Sequence, residues 1–270
     1  MSARCVKKRL DLRLVEEGMA DSVRAAGALI MAGEVLIDGQ PASSAGQPVK
    51  DAAVVRLKSG SGGWVSRGAH KLLTAVERFH LKLENRVCLD VGASTGGFTQ
   101  VMLKHGAAKV YAVDVGYGLL DWSLRTDPRV VVMERQNARF LTAEMFAPRP
   151  DFACSDASFI SLRLLLNPLA AATAADAEAV VLVKPQFEAR REDLGEGGVV
   201  RSPEVHRAVL KDLADFVGRE TPWGLEEATW SGIRGPKGNI EFLFRLRKNM
   251  TSASVDFCEL VRVSHEALAE

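Results

Sequence analysis

Two rhythms of hydrophobic and polar residues run through this chain. From residue 86 to residue 247, short apolar runs at 86–91, 109–115, 130–133, 151–155, 179–184, 225–230 and 241–247 alternate with stretches whose apolar residues recur at helical spacing, among them 98–105, 162–172 and 204–217. Several runs are continuously apolar, as in Ala179-Val180-Val181-Leu182-Val183. Such runs predict strands covered on both faces, hence a parallel sheet. Regular alternation of strand and helix predicts a doubly wound α/β domain, expected at 66–248. A helix over 68–79, led by Ser66 as its cap, precedes the first strand. The tail at 249–270 carries one more helical pattern in Val255, Leu260, Val263 and Leu268.

The first 58 residues follow another pattern. Arg9-Leu10-Asp11-Leu12-Arg13-Leu14-Val15 is an amphipathic run closed by Gly18. A second run begins after Asp21-Ser22, both good N-cap residues, and reaches Gly33. Val35-Leu36-Ile37 leads through Asp38-Gly39 into a turn, and Val54-Val55-Arg56-Leu57 reads as the returning strand. This predicts a small α+β module of two helices and a hairpin-like sheet at 1–58. Ser59-Gly60-Ser61-Gly62-Gly63 predicts a flexible joint, with the linker at 59–65.

Charge and composition narrow the partners. With 35 basic and 34 acidic residues the net charge is +1, so contact with nucleic acid has to come from local basic clusters. Cys5, Cys88, Cys154 and Cys258 form no CxxC pair, which predicts reduced thiols in a cytoplasmic protein, with Cys88 and Cys154 packed in strands. The five histidines lack metal-ligand spacing, and no metal is expected. No stretch approaches the roughly 20 apolar residues that span a bilayer, and the basic N-terminus lacks the apolar region of a secretory signal. No membrane partner is expected.

The sharpest motif is Leu89-Asp90-Val91-Gly92-Ala93-Ser94-Thr95-Gly96-Gly97-Phe98-Thr99, where the first strand ends and a helix begins. Glycines there let backbone approach a ligand at the mouth of an open sheet. Asp114 ends the next strand, where a carboxylate can accept both ribose hydroxyls of a nucleoside, with Val115 beside it. A nicotinamide dinucleotide is the rival ligand, but the G-x-G-x-x-G fingerprint lacks its second glycine here. Asp90, two residues ahead of the loop, suits a cationic sulfonium better than a pyrophosphate. Gln136-Asn137-Ala138 follows the third strand and is placed to meet an adenine. The expected cofactor is S-adenosylmethionine.

Methyl transfer from a sulfonium is an in-line displacement, so holding the acceptor near the methyl carbon carries much of the rate. Amino-group methyltransferases carry [DNS]-P-P-[YFW] after the fourth strand, whereas this chain has Asp156-Ala157-Ser158-Phe159, and it has no Pro-Cys nucleophile. A hydroxyl acceptor remains, and a lysine whose pKa is lowered by a neighbouring cation and by burial can serve it. Four charged residues are expected at one edge of the sheet. Lys184 ends strand five, Asp156 ends strand four, Glu241 opens the last strand, and Lys71 lies in the first turn of the helix ahead of strand one.

Six stretches resemble the TlyA family, known both as haemolysins and as ribosomal RNA 2'-O-methyltransferases with an FtsJ-like catalytic domain. They are Trp64-Val65-Ser66-Arg67-Gly68-Ala69-His70-Lys71, residues 90–99, Asp114-Val115-Gly116-Tyr117-Gly118, Ser158-Phe159-Ile160-Ser161-Leu162, Lys184-Pro185-Gln186-Phe187-Glu188 and Gly197-Gly198-Val199-Val200. The resemblance implies a Rossmann-like class I methyltransferase fold with a mostly parallel seven-stranded sheet. It places the family's Lys-Asp-Lys-Glu tetrad on Lys71, Asp156, Lys184 and Glu241. It further implies that the acceptor is a cytidine ribose in RNA of the small or large ribosomal subunit. Lys184 is then the base or the orienting cation at the 2'-hydroxyl, Lys71 depresses its pKa, and Asp156 and Glu241 orient both lysines.

The N-terminal module is similar to the α-L RNA-binding domain, and Arg4, Lys7, Lys8, Arg9, Arg13 and Arg24 are expected phosphate contacts. The usual Ser-Arg pair of that domain is interrupted as Ser22-Val23-Arg24. Arg67, Arg135, Arg139, Arg190 and Arg191 are expected to grip flanking RNA, and Gly195-Glu196-Gly197-Gly198 is expected to be a mobile loop that closes on substrate. Three other readings stay open: an RNA-binding assembly factor with a vestigial pocket, a membrane-active haemolysin, and a nicotinamide dehydrogenase.

Overall fold

The computed structural model describes residues 7–17, 19–20, 22–38, 40–51, 53–57 and 64–269. Arg4, Cys5, Gly18, Asp21, Gly39 and the joint at 59–63, all used in the sequence reading, lie outside the described residues.

The N-terminal module contains β1 (Lys7–Arg9), α1 (Leu10–Glu16), α2 (Val23–Met31), β2 (Val35–Ile37), β3 (Gln40–Pro41), β4 (Pro48–Lys50) and β5 (Val55–Leu57). Its sheet is divided. β1 pairs with β4, while β2 lies between β3 and β5, all antiparallel. Leu10, Leu14, Ala26, Ile30, Val35, Val49 and Val55 close a small core between the helices and strands. Ser22 caps α2 by accepting the Ala25 N–H at 3.1 Å.

The larger unit begins with α3 (Ala69–Arg78) and continues through β6 (Val87–Val91), α4 (Gly97–Lys104), β7 (Lys109–Val113), α5 (Trp122–Arg125), β8 (Val130–Met133) and β9 (Phe152–Ser155). Then follow α6 (Leu166–Ala172), β10 (Glu178–Val183), α7 (Pro185–Glu188), α8 (Pro203–Glu220), β11 (Trp223–Trp230), β12 (Phe242–Lys248) and α9 (Phe257–Ala267). The seven strands lie in the order β11-β12-β10-β9-β6-β7-β8, with β12 antiparallel to both neighbours and the other contacts parallel. The sheet is the mostly parallel, doubly wound one that the apolar runs predict.

Connectivity decides where a ligand fits. The chain builds outward from β6 to β7 and β8, then crosses back to lay β9 on the other side of β6. Crossovers leaving in opposite directions open a crevice at the carboxyl ends of β6 and β9. The sheet has a core on each face, one beneath α3 and α4, the other beneath α6, α8 and α9. The tail is docked: α9 buries Leu260 and Val261 against the second core. No helix among the described residues is long and apolar enough to cross a membrane.

Candidate active site

The strand ends around the crevice carry the charges. Residue 156 follows β9, residue 184 follows β10, residue 241 immediately precedes β12, and Lys71 projects from the first turn of α3. Asp156 stands between the two ammonium groups, with Oδ1 2.6 Å from Lys184 Nζ and Oδ2 3.2 Å from Lys71 Nζ. On its other side Lys71 meets Glu241 Oε2 at 2.8 Å. Lys184 also donates to Ser158 Oγ at 2.7 Å and to the Asp156 carbonyl at 3.1 Å. Two cations and two anions make a cluster of zero formal charge, which is how charges tolerate burial.

The Asp156 carboxylate lies between the Lys71 and Lys184 ammonium groups and pairs with both. Burial pushes Lys71 down, but Asp156 and Glu241 outweigh it and its pKa ends above the ordinary lysine value. Burial likewise pushes the Asp156 carboxyl up, and Lys184 and Lys71 reverse the sign, so it ends below the ordinary value. The interior of the cluster is therefore ionic.

A cavity of about 860 Å³ opens beside this cluster. Its wall includes ten of the twelve residues expected at a cofactor: Gly92, Ala93, Ser94, Thr95, Gly97, Phe98, Asp114, Val115, Asn137 and Ala138. Gly92 sits at φ +81, and a Cβ there would come within 3.0 Å of the Ala157 backbone, so the β6 and β9 loops approach as only glycine permits. Asp114 is held by the N–H groups of Ser94 at 2.9 Å and Gly116 at 2.7 Å, which fixes its carboxylate on the wall. Asn137 turns its Oδ1 to the Arg139 N–H at 3.0 Å, so its side chain shapes the turn it occupies.

Asp90 and Gly96 depart from expectation. Asp90 is fully buried beneath the loop, accepting from the Thr99 hydroxyl at 2.7 Å, with Cys154 Sγ 3.6 Å away. It shares a sheet face with Cys88, so its side chain points into the core under α4 and not toward a cofactor. Burial, opposed by Thr99, raises its pKa to about 7. Gly96 caps α4 at φ +97, where a Cβ would strike Leu124 and Leu120; it serves the packing beneath the cavity wall.

The basic residues divide in the same way. Arg24, Arg67 and Arg139 reach the cavity wall, with Arg24 coming from α2 of the N-terminal module. Arg67 also donates to the Arg234 carbonyl, and its N–H lies 3.4 Å from Glu34 Oε1, tying the two units together at the rim. Arg135 lies over the exposed Tyr117 ring at 4.3 Å. Lys7, Arg9, Arg190 and Arg191 are exposed, and Lys8 pairs with Glu16. Arg13 is no phosphate contact: its guanidinium donates to Glu17, to Lys50 O at 2.7 Å and to Ala53 O at 2.8 Å, locking the module internally. The 195–198 segment is a short 3-10 turn in which Gly195 N–H donates to Val199 O at 3.0 Å and Asn239 Nδ2 donates to Gly198 O at 3.3 Å.

Sequence reasoning missed several wall residues. Ser158, Phe159 and Phe187 line the cavity beside the tetrad, and Phe159 is 86% exposed. Their signals were adjacency to Asp156 and Lys184 and a place in the family-like stretches at 158–162 and 184–188, neither of which gave them a role. Met31 and Glu34 of the N-terminal module also line it, which no local pattern could announce. Among the described residues, no group of three or more His, Cys, Asp and Glu could hold a metal ion.

A doubly wound sheet with an antiparallel strand inserted next to its edge, a glycine loop at the switch point and a buried Lys-Asp-Lys-Glu cluster define a Rossmann-like methyltransferase. The chain belongs to the FtsJ-like methyltransferase family, which it matches over residues 64–248, and residues 8–55 match the S4 domain. It is 44% identical to the 16S/23S rRNA (cytidine-2'-O)-methyltransferase TlyA of Mycobacterium tuberculosis, over 98% of both chains. It is 40% identical to Hemolysin A of Brachyspira hyodysenteriae, over 87% of this chain and 98% of that one. A solved structure of a protein named as a hemolysin, from Streptococcus thermophilus, superposes with a TM-score of 0.77 at 39% identity, covering 97% of each chain.

Proposed function

We propose that this protein transfers the methyl group of S-adenosylmethionine to the 2'-hydroxyl of a cytidine in ribosomal RNA, within ribosomal subunits. The observation that carries the reading is the Asp156 carboxylate bridging Lys71 and Lys184 on the wall of the cavity that the glycine loop also lines. The residues present fit the cofactor: Asp114 offers a fixed carboxylate for ribose hydroxyls, Gly92 and Gly97 keep the loop low, and Asn137 and Ala138 flank the site of a base. When bound there, S-adenosylmethionine supplies a methyl group on a positively charged sulfur.

The chain's own residues then have distinct tasks. Lys184 Nζ is ion-paired with Asp156 Oδ1 and donates to Asp156 O and Ser158 Oγ. Two of those partners are fixed, whereas the Ser158 hydroxyl is on a short exposed side chain that can turn aside. The position it holds, 2.7 Å from Nζ, is where a substrate hydroxyl oxygen is received. Lys184 thus acts as an orienting cation, which favours that one of its two expected roles. Lys71 helps keep the Asp156 carboxylate ionised and holds Glu241 in place. The proton leaving the hydroxyl as the new O–C bond forms passes to solvent, since Asp156 is held ionised by both lysines. Arg24, Lys7 and Arg9 on the N-terminal module, with Arg67, Arg135, Arg139, Arg190 and Arg191, supply phosphate contacts whose affinity falls with salt. The exposed Phe159 ring beside Phe187 offers a stacking face for an unpaired base.

The test uses isolated 30S and 50S subunits, wild type and Lys184→Ala, with mass mapping of the RNA and calorimetry of cofactor binding. The expected result is a ribose-methylated cytidine with wild type, and loss of methylation with cofactor affinity retained in the variant. Absence of methyl transfer by wild type, or full activity of Lys184→Ala, refutes the reading.

A further inference from the structure

The segment from Asp156 to Leu162 is gripped at both ends by residues four apart in sequence. At its start Lys184 holds the Asp156 carboxylate and carbonyl. At its end Glu188, the last residue of α7, accepts the Ser161 hydroxyl on Oε2 at 2.7 Å and the Leu162 N–H on Oε1 at 2.7 Å. Both carboxylate oxygens are thus committed to the Ser161–Leu162 turn, one through a side-chain hydroxyl and one through backbone N–H. Between the grips Phe159 adopts φ +64, a left-handed conformation unusual for a bulky side chain. Its ring is 86% exposed and lies 5.4 Å from the Phe187 ring at a tilt of 48°. An exposed ring adds nothing to the core that could offset such strain. Strained residues persist where their surroundings over-determine them, and they collect at functional sites.

We propose that Glu188 is a positioning residue for the target nucleotide. Through Ser161 and Leu162 it holds the turn that presents Phe159 to the acceptor base beside Lys184. This deepens the ribosomal RNA methyltransferase reading and rests on it. Glu188 touches neither the cavity's charged cluster nor the cofactor wall, so its effect is confined to how RNA is seated. The geometry also explains a division of labour around α7: Lys184, just ahead of it, fixes the reacting oxygen, and Glu188, its last residue, fixes the stacking face.

The experiment measures methyl transfer to ribosomal subunits for Glu188→Ala, Glu188→Gln, Ser161→Ala, Phe159→Ala and the Glu188→Ala/Phe159→Ala pair, beside wild type, with cofactor affinity and Tm for each. Loss of two charge-assisted hydrogen bonds predicts a rise of about ten-fold or more in the apparent KM for RNA in Glu188→Ala. Cofactor affinity stays at the wild-type value. Glu188→Gln, which can accept from Leu162 N–H and donate to Ser161 Oγ, restores most of the loss. In the Phe159→Ala background Glu188→Ala costs little more, because the ring it positions is gone. Should Glu188→Ala fail to fold, Ser161→Ala removes one grip alone and is expected to show the same pattern at about three-fold. Additive losses in the pair, loss of cofactor affinity in step with activity, or a wild-type KM in the single variants overturns the proposal. An inactive wild type sinks the methyltransferase reading itself, and the positioning role with it.

Discussion

Lys71 is the residue whose removal most directly exposes how the site is held together. It is 7% exposed, and it is the cation for Glu241, which is 1% exposed, as well as a second cation for Asp156. Lys71→Met keeps much of the aliphatic volume but strands the Glu241 charge in the interior, while Asp156 retains Lys184. Breaking one side of a buried pair costs about 3–5 kcal/mol. For a unit of this size that corresponds to a fall in Tm of roughly 6–20 °C. The second perturbation, Lys71→Met with Glu241→Gln, removes both charges and is expected to recover most of the stability. It recovers none of the methyl transfer, because Lys71 also keeps Asp156 charged for its role beside Lys184. Urea unfolding, paired with methylation assays, reads both quantities. If Lys71→Met lies within about 1 kcal/mol of wild type, or the double variant is as unstable as the single one, the reasoning about a closed ionic cluster is wrong.

Three further predictions concern other parts of the fold. Asp90, with its pKa raised to about 7 chiefly by burial, contributes stability that is complete below its ordinary pKa of 3.8 and lost as the pH rises through 7. Relative to Asp90→Asn, wild type should therefore lose about 3 kcal/mol between pH 5 and pH 8; a pH-independent difference in urea unfolding rules this out. His206, in contact with His265 at 2.9 Å between α8 and α9, is pushed down to about 4 by burial and then by His265. Its contribution is present above pH 6.5 and lost as the pH falls through 4, about 2–3 kcal/mol by pH 4.5. Faster amide exchange in α9 at pH 4.5 is the expected sign, and His206→Gln should flatten the dependence; an unchanged slope argues against it. Gly92→Ala sets a Cβ within 3.0 Å of Ala157 and forces a left-handed alanine, a strain of about 1–2 kcal/mol, so calorimetry should show weakened cofactor binding. Unaltered affinity would mean that the loop is not the cofactor cradle.

The architecture was open to reading because its determinants are local. Continuous apolar runs such as 179–183 mark strands buried on both faces, and the glycines at 92, 96 and 97 mark backbone that must turn where a side chain cannot. The strand-end positions of Asp156 and Lys184 followed from the same runs. Side-chain direction was less accessible. Asp90 was expected to face a ligand, but the two-residue period of β6 sends it inward with Cys88, while Leu89 and Val91 take the opposite face. Arg13 reads as a surface cation in an amphipathic helix, yet the carbonyls of Lys50 and Ala53 lie where its guanidinium ends.

By itself, then, the sequence determined the order of strands and helices, the glycine turn and a short inventory of charged residues at element ends. Tertiary structure alone decided which of those charges meet: Asp156 between Lys71 and Lys184, Glu241 behind Lys71, and the N-terminal module's α2 across the cavity from them. The reason is range. Backbone preference and burial act over a few residues and leave a repeating trace in the sequence, whereas a pairing of charges depends on crossovers that bring distant segments within about 3 Å of one another and leaves none.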